Sequence, residues 1–186
     1  MPAPVILDWP LPYETRLEAR PASAVDLVVI HCTELPDLAA ARSYGEKVLY
    51  ADGTGNSGHY YIDRDGNVYR FVAGTRVAHH TRGYNPRSIG IELVNTGRYP
   101  DWLDSRRQAM TEPYTAAQIA SLRALLGRLR NEYPDLRLIA GHEDLDTAEV
   151  AASDDAARRV HRKRDPGPLF PWAEVLADSG LERLKP

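Results

Sequence analysis

The sequence predicts one α/β domain: a central mixed β-sheet flanked by helices. Three observations carry that reading. Short apolar runs rich in β-branched residues alternate with stretches at helical spacing, the pattern of a sheet covered by helices. A capping-box pattern, Thr115-Ala116-Ala117-Gln118, opens an amphipathic segment. The 186 residues, 43% apolar and 26% charged, suffice for a single sizeable core.

In chain order, residues 1–24 read as an irregular, proline-punctuated N-terminal arm on the surface of a domain spanning 25–186. Leu27-Val28-Val29-Ile30 is a continuous apolar run of the kind that forms a buried central strand, and it ends at His31. A helix is expected over 36–50, because proline suits a first helical turn and Leu38, Ala41, Val48 and Leu49 recur near helical spacing. Residues 52–57 are loop. His59 to Ile62 and Asn67 to Val72 flank Arg64-Asp65-Gly66, an Asp-Gly hairpin signal.

A loop with His79, His80 and Tyr84-Asn85-Pro86 leads to an apolar strand over 89–94 that carries Glu92 among apolar neighbours. Residues 96–114 are a long loop. The helix opened by Thr115 presents Ile119, Leu122, Leu125, Leu126 and Leu129 on one face and stops at Tyr133-Pro134. Residues 136–140 form a strand leading to His142. The charged stretch 143–164 reads as a loop with a short helix, Asp154-Asp155 near its start and Arg158-Arg159 near its end. A closing helix is expected over 172–184.

A net charge of −3 gives no reason to expect a nucleic-acid partner. No apolar stretch is long enough to span a membrane. The N-terminal residues lack the basic start and apolar run of a signal peptide, so a cytoplasmic protein is expected. The single cysteine, Cys32, cannot form an internal disulfide, which fits a reducing compartment. A monomer is expected.

His31 and His142 each follow a strand, and Asp165 precedes a Pro-Gly turn. Two histidines and a carboxylate, with a fourth position left to water, make the open tetrahedral set of catalytic zinc. Sequence spacing does not force them together, and a lone histidine at a strand end is often only a hydrogen-bonded structural residue. Glu92 can be read as a proton acceptor or as a carboxylate that orients a metal-bound histidine. Lys163 can be read as a solvated member of the basic run 158–164. Cys32 neighbours His31, but adjacent strand residues point to opposite faces, which puts the thiol in the core. His59 is expected to be structural and His161 solvated.

Five motifs occur in order: VVIHCTE, SGHYYIDRDGNVYRF, AHHTRGYNPRSIGIELVN, IAGHEDL and KRDPGPLFPW. Together they resemble the zinc amidase family that includes AmpD-type amidases, phage amidase lysozymes and peptidoglycan-recognition proteins. The likeness covers roughly residues 25–176. It implies a peptidoglycan-recognition-protein/amidase-like fold with zinc held by His31, His142 and Asp165. It further implies that Glu92 handles the attacking water and that Lys163 stands beside the metal. His80, Tyr84 and Asn85 would lie near the substrate.

Other members carry a tyrosine where this chain has Gly58, in line with the use of Glu92 here. The implied activity is hydrolysis of the bond between N-acetylmuramic acid, or its 1,6-anhydro form, and L-alanine in peptidoglycan fragments. A non-catalytic peptidoglycan-binding module and a wall-lytic amidase of phage or toxin type are the alternatives. The segment 143–164 is longer than this family usually has. Its Asp144, Asp146, Asp154 and Asp155 are competing ligands, and the segment itself is expected to be a movable flap beside the groove.

Overall fold

The computed structural model describes residues 5–185. The chain begins with β1 (Ile6–Asp8) and then β2 (Leu27–Cys32), followed by α1 (Leu38–Gly45). The hairpin strands β3 (Tyr60–Ile62) and β4 (Val68–Arg70) come next, and then β5 (Ser88–Leu93) and the long helix α2 (Ala116–Glu132). The rest is β6 (Leu138–Gly141), α3 (His142–Leu145), β7 (Glu149–Ala151), β8 (Arg159–His161), α4 (Trp172–Leu176) and β9 (Glu182–Arg183).

Seven strands form one sheet in the order β1-β4-β3-β5-β2-β6-β9, while β7 and β8 form a separate two-stranded ribbon. Among the described residues of the sheet, only β3 and β4 pair antiparallel. The other neighbours are parallel. The sheet is therefore mixed, as its alternation with helices suggested.

β2 lies at the centre and is buried along its whole length. Its side chains alternate between faces. Val28 and Ile30 join the main core with Ile89 and Ile91 of β5 and the apolar stripe of α2. The capping box at the start of α2 is complete: Thr115 Oγ1 accepts from the Gln118 amide at 3.1 Å, and Gln118 Oε1 accepts from the Thr115 amide at 3.1 Å. Gln118 Nε2 also donates to the Val94 carbonyl at 2.9 Å, tying the helix to the end of β5. Leu27 and Val29 point to the opposite face, the one that carries the site.

Four expectations are corrected. The N-terminal arm is not wholly irregular. β1 adds an edge strand to β4, Leu11, Tyr13 and Leu17 are buried in a second apolar cluster, and Arg42 donates to the Trp9 and Pro10 carbonyls at 2.5 and 2.9 Å. The helix expected over 36–50 ends at Gly45, and Val48, Leu49 and Tyr50 are exposed, with nothing to reward a longer helix. The closing helix stops at Leu176. Gly180 takes a φ of 61°, which breaks the helix and lets β9 pair with β6.

The fourth correction concerns 143–164. After the single turn of α3, the segment forms the β7–β8 hairpin, whose Val150 and Val160 pair across the strands. The Asp154-Asp155 stretch lies in the connection between them. Asp154 is used to cap another loop, accepting from the Ser105 amide and hydroxyl at 2.6 and 2.8 Å.

Candidate metal centre and its groove

Strand register builds the first half of the site. In the parallel β2–β5 pair His31 lies opposite Glu92, and in the β3–β5 pair Glu92 lies opposite Tyr61. Register partners share a face, so His31 and Glu92 emerge together, with His31 Nδ1 4.0 Å from Glu92 Oε1. A Cβ at Gly58 would come within 2.9 Å of Glu92 Cγ. Any side chain at 58 would thus crowd the glutamate, which accounts physically for the pairing of Gly58 with Glu92.

The second half comes from the chain after β6. β2 and β6 run parallel with Ile30 opposite Gly141, so the next residue, His142, falls beside the end of β2. Asp165 is brought in by three contacts. Its carbonyl accepts from the Glu143 amide at 2.9 Å, and Tyr114 Oη donates to the Pro166 carbonyl at 2.7 Å. Gly141 leaves room for the proline ring; a Cβ there would meet Pro166 Cδ at 2.8 Å.

The result is a buried cluster. His31 Nδ1 and His142 Nδ1 lie 2.9 and 3.1 Å from Asp165 Oδ2. One ligand atom from each residue can be chosen such that all lie within 4.8 Å of one another. The ligand atoms of a tetrahedral zinc site sit roughly 3.3 Å apart. Asp165 Oδ1 is buried and has no hydrogen-bond partner, as a carboxylate oxygen awaiting a cation would be. The residues therefore fit a metal ion of the borderline kind that takes imidazole and carboxylate together.

The electrostatics follow from burial and neighbours. Burial pushes the His31 imidazole down to about 4, which keeps it neutral and able to bind a cation. Burial works against an ionised Asp165, but the charge and hydrogen bond of His142, with help from the charge of Lys163, hold it well below the usual carboxylate range. Burial, and then the charge of Asp165, push Glu92 up to about 8. A carboxyl poised there can both take and give a proton near neutrality. Burial pushes the Cys32 thiol well up and so disfavours the nucleophilic thiolate, and its Sγ lies close to Gly97.

The cluster opens into a cavity of about 720 Å³, walled by Glu92, Lys163, Arg82, Tyr50 and Trp102 among others. Lys163 thus lines the groove. His80 and Asn85 also line it, yet their polar groups are engaged within the protein. His80 Nδ1 lies 3.0 Å from His31 Nε2, and Asn85 Oδ1 accepts from the His80 and Thr81 amides at 3.0 and 2.7 Å. Tyr84 is not among the lining residues; it packs on the Leu27, Val29 and Ala140 cluster. His59 is fully buried inside the sheet and His161 is exposed.

The competing aspartates are all committed elsewhere. Asp144 pairs with Arg183, Asp146 with Arg162, Asp154 with Ser105 and Arg106, and Asp155 with Arg158.

One residue of the site had no signal in the sequence. Arg98 is buried and grips Glu34 through two bonds, at 2.7 and 2.9 Å. The same guanidinium donates to the carbonyls of His161 and Arg162 at 2.9 and 3.3 Å. It therefore clamps the chain that carries Lys163 and Asp165 to the end of β2. The Ser153 amide also donates to the Leu103 carbonyl at 2.9 Å. The segment 143–164 is thus pinned at several points, and of its residues Arg162 and Lys163 line the groove.

Fold and site together define an α/β protein with a buried two-histidine, one-carboxylate centre at the edge of a groove. A profile of the family described as N-acetylmuramoyl-L-alanine amidase matches residues 21–168, and the chain belongs to that family. It is 33% identical over 126 residues to 1,6-anhydro-N-acetylmuramyl-L-alanine amidase AmpD of Escherichia coli (strain K12), covering 63% of this chain and 55% of that protein. It is 36% identical over 85 residues to the endolysin of Escherichia phage T7, covering 46% of this chain and 52% of that one. The chain thus spans about half the length of these curated relatives. The solved structure of N-acetylmuramoyl-L-alanine amidase LysC from Clostridium intestinale URNW superposes with a TM-score of 0.70 at 23% identity, covering 97% of this chain and all of that one (100%). That likeness is one of fold.

Proposed function

We propose that this protein is a zinc-dependent N-acetylmuramoyl-L-alanine amidase acting on peptidoglycan fragments, with soluble muropeptides, 1,6-anhydro forms included, as its substrates. The observation that carries the proposal is the convergence of His31, His142 and Asp165 on one point, with Glu92 4.0 Å from His31 at the mouth of a cavity. The likeness to an amidase named for the 1,6-anhydro substrate supports the substrate class.

In this reading His31, His142 and Asp165 hold zinc. When bound, zinc lowers the pKa of a coordinated water to about 7 and polarises the scissile carbonyl. Glu92 takes the proton of the attacking water and passes it to the nitrogen of L-alanine as that group leaves. Lys163, on the groove wall, places its ammonium where the carbonyl oxygen gains negative charge. Arg162 and Lys163, with Trp102 and Leu103 of the loop before α2, wall the groove on one side and shield the reacting bond there.

Among the described residues no helix is long and apolar enough to cross a membrane. We place the protein in the cytoplasm, in recycling. The likeness to a phage endolysin favours a second reading, lysis of intact wall. A non-catalytic binding module is disfavoured because the ligand set is complete. Incubating the zinc-loaded protein with anhydro-muropeptides and, separately, with intact sacculi decides between them. Release of free stem peptide mainly from the soluble substrate is expected. Release from sacculi alone supports lysis, and no release from either refutes the amidase reading.

A further inference from the structure

His80 differs from the three ligand residues in what lies behind it. The Ser88 hydroxyl has one proton, and it donates it to the Tyr84 carbonyl at 2.8 Å. A carbonyl can only accept, so the direction of that bond is fixed. Ser88 Oγ is then left as an acceptor toward His80 Nε2, 3.2 Å away. The hydrogen of the neutral His80 ring therefore sits on Nε2, and its Nδ1 is a lone pair.

That lone pair faces His31 Nε2 at 3.0 Å. The Thr81 hydroxyl lies 3.0 Å from His80 Nδ1 and 3.3 Å from His31 Nε2, so its proton goes to His80 and its own lone pairs face His31. Both groups opposite His31 Nε2 thus offer lone pairs, and the hydrogen of His31 must sit on Nε2. His31 Nδ1 is left bare, pointing at Asp165 Oδ2 2.9 Å away. Two lone pairs face each other there, an arrangement that a shared cation satisfies. The assignment of each hydrogen follows from the direction of the bonds around it.

The seat of His80 is built for this purpose. Its ring lies against the backbone of β5 at Gly90, where a Cβ would come within 2.6 Å of His80 Cγ. Asn85 Oδ1 holds the His80 and Thr81 amides, which fixes the ring from the other side. The His31 and His80 rings meet edge to face at 86°.

We propose that His80 is a positioning residue: backed by Ser88 and the Tyr84 carbonyl, it selects the His31 tautomer that presents Nδ1 to the metal. The proposal rests on the metal reading of the site. It gives His80 a role behind the metal ligand instead of one in holding substrate, and it makes Ser88 and Gly90 part of the same device. Partners behind a ligating histidine that fix its tautomer typically contribute 10- to 100-fold, in round terms, to metal affinity.

Zinc affinity, read by competition with a chromophoric chelator, tests this without reference to turnover. His80→Phe keeps a ring but has no lone pair. His80→Gln restores an acceptor to His31 Nε2. Ser88→Ala removes one hydroxyl and leaves the packing almost intact. Expected is a loss of about 10- to 100-fold in affinity for His80→Phe, recovery of most of it in His80→Gln, and a smaller loss in Ser88→Ala. Nitrogen spectra of histidine-labelled, zinc-loaded protein should show the His31 proton on Nε2. Unchanged affinity in His80→Phe or Ser88→Ala, equal losses in His80→Phe and His80→Gln, or a His31 proton on Nδ1 would overturn the proposal while leaving the metal site standing. A wild-type protein that takes up no zinc overturns both.

Discussion

The two halves of the site are held in different ways. His31 and Glu92 stand on neighbouring parallel strands and are register partners, so backbone hydrogen bonds fix their separation. Lys163 and Asp165 come at the end of the 143–164 segment and depend on separate contacts: the Glu143 amide on the Asp165 carbonyl, Tyr114 on the Pro166 carbonyl, and the Arg98 guanidinium, which bridges Glu34 to the His161 and Arg162 carbonyls. The sheet half needs no dedicated fastener. The loop half needs a buried ion pair, and Arg98 is 3% exposed. A rigid scaffold can thus carry a long connection between His142 and Asp165 if a few contacts, a buried clamp among them, return the chain to position.

The sheet half should break chemically and not structurally. Glu92→Gln keeps the size of the side chain and removes its proton acceptor. Turnover of muropeptide should fall about 10²- to 10⁴-fold, with zinc content and the unfolding midpoint unchanged. Near-normal turnover would reduce Glu92 to a structural neighbour of His31.

The loop half should break structurally. Arg98→Met leaves Glu34 buried without its partner, and removing one member of a buried pair costs about 3–5 kcal/mol. Denaturant unfolding measures this. The paired change Arg98→Met with Glu34→Gln should recover part of the loss. If Arg98→Met unfolds at the wild-type midpoint, the clamp contributes nothing.

The loop that carries Arg98 is closed at its far end by Glu112, and this gives a pH signature. Burial works against the Glu112 carboxylate, but hydrogen bonds from Arg64 and Thr96 outweigh it and hold the pKa down at about 2, below the ordinary 4.5. A depressed carboxyl stabilises the fold above the unfolded-state pKa and loses that contribution as pH falls through the folded one. Stability should therefore decline between about pH 4.5 and 2, and less steeply in Glu112→Gln. Identical acid profiles would remove Glu112 from the account.

The smallest effect is expected at Cys32, next to His31 in sequence but on the other face of β2. Cys32→Ser should keep zinc and turnover and lose modestly in stability, because it places a hydroxyl where a buried thiol packed. A folded but inactive Cys32→Ser would revive a thiol mechanism.

Legibility in the sequence followed the same division. β2, β5 and α2 could be read because a continuous apolar run, a strand at the end of a motif and a capping box are local signals. His31, His142, Asp165 and Glu92 could be singled out because the motifs around them resemble a known family, and the structure brings them together. β1 and β9 could not be read. They are edge strands of three and two residues whose identity comes from the strand they pair with. The β7–β8 hairpin is hidden in the sequence because Asp154-Asp155 and Arg158-Arg159 also suit the ends of a short helix within a loop. What decides it is the capture of Asp154 by Ser105, forty-nine positions away in the chain. Arg98 reads as one more loop arginine, since nothing near it in sequence reveals that Glu34 waits for it at the end of β2.

The most direct test of the metal centre joining these halves is elemental analysis of zinc in purified wild type, Asp165→Ala and His142→Ala, alongside muropeptide hydrolysis by the same preparations. Expected is about one zinc per chain in the wild type, little or none in either variant, and hydrolysis only where zinc is retained. Full zinc retention in His142→Ala, or hydrolysis by a zinc-free wild type, would contradict it.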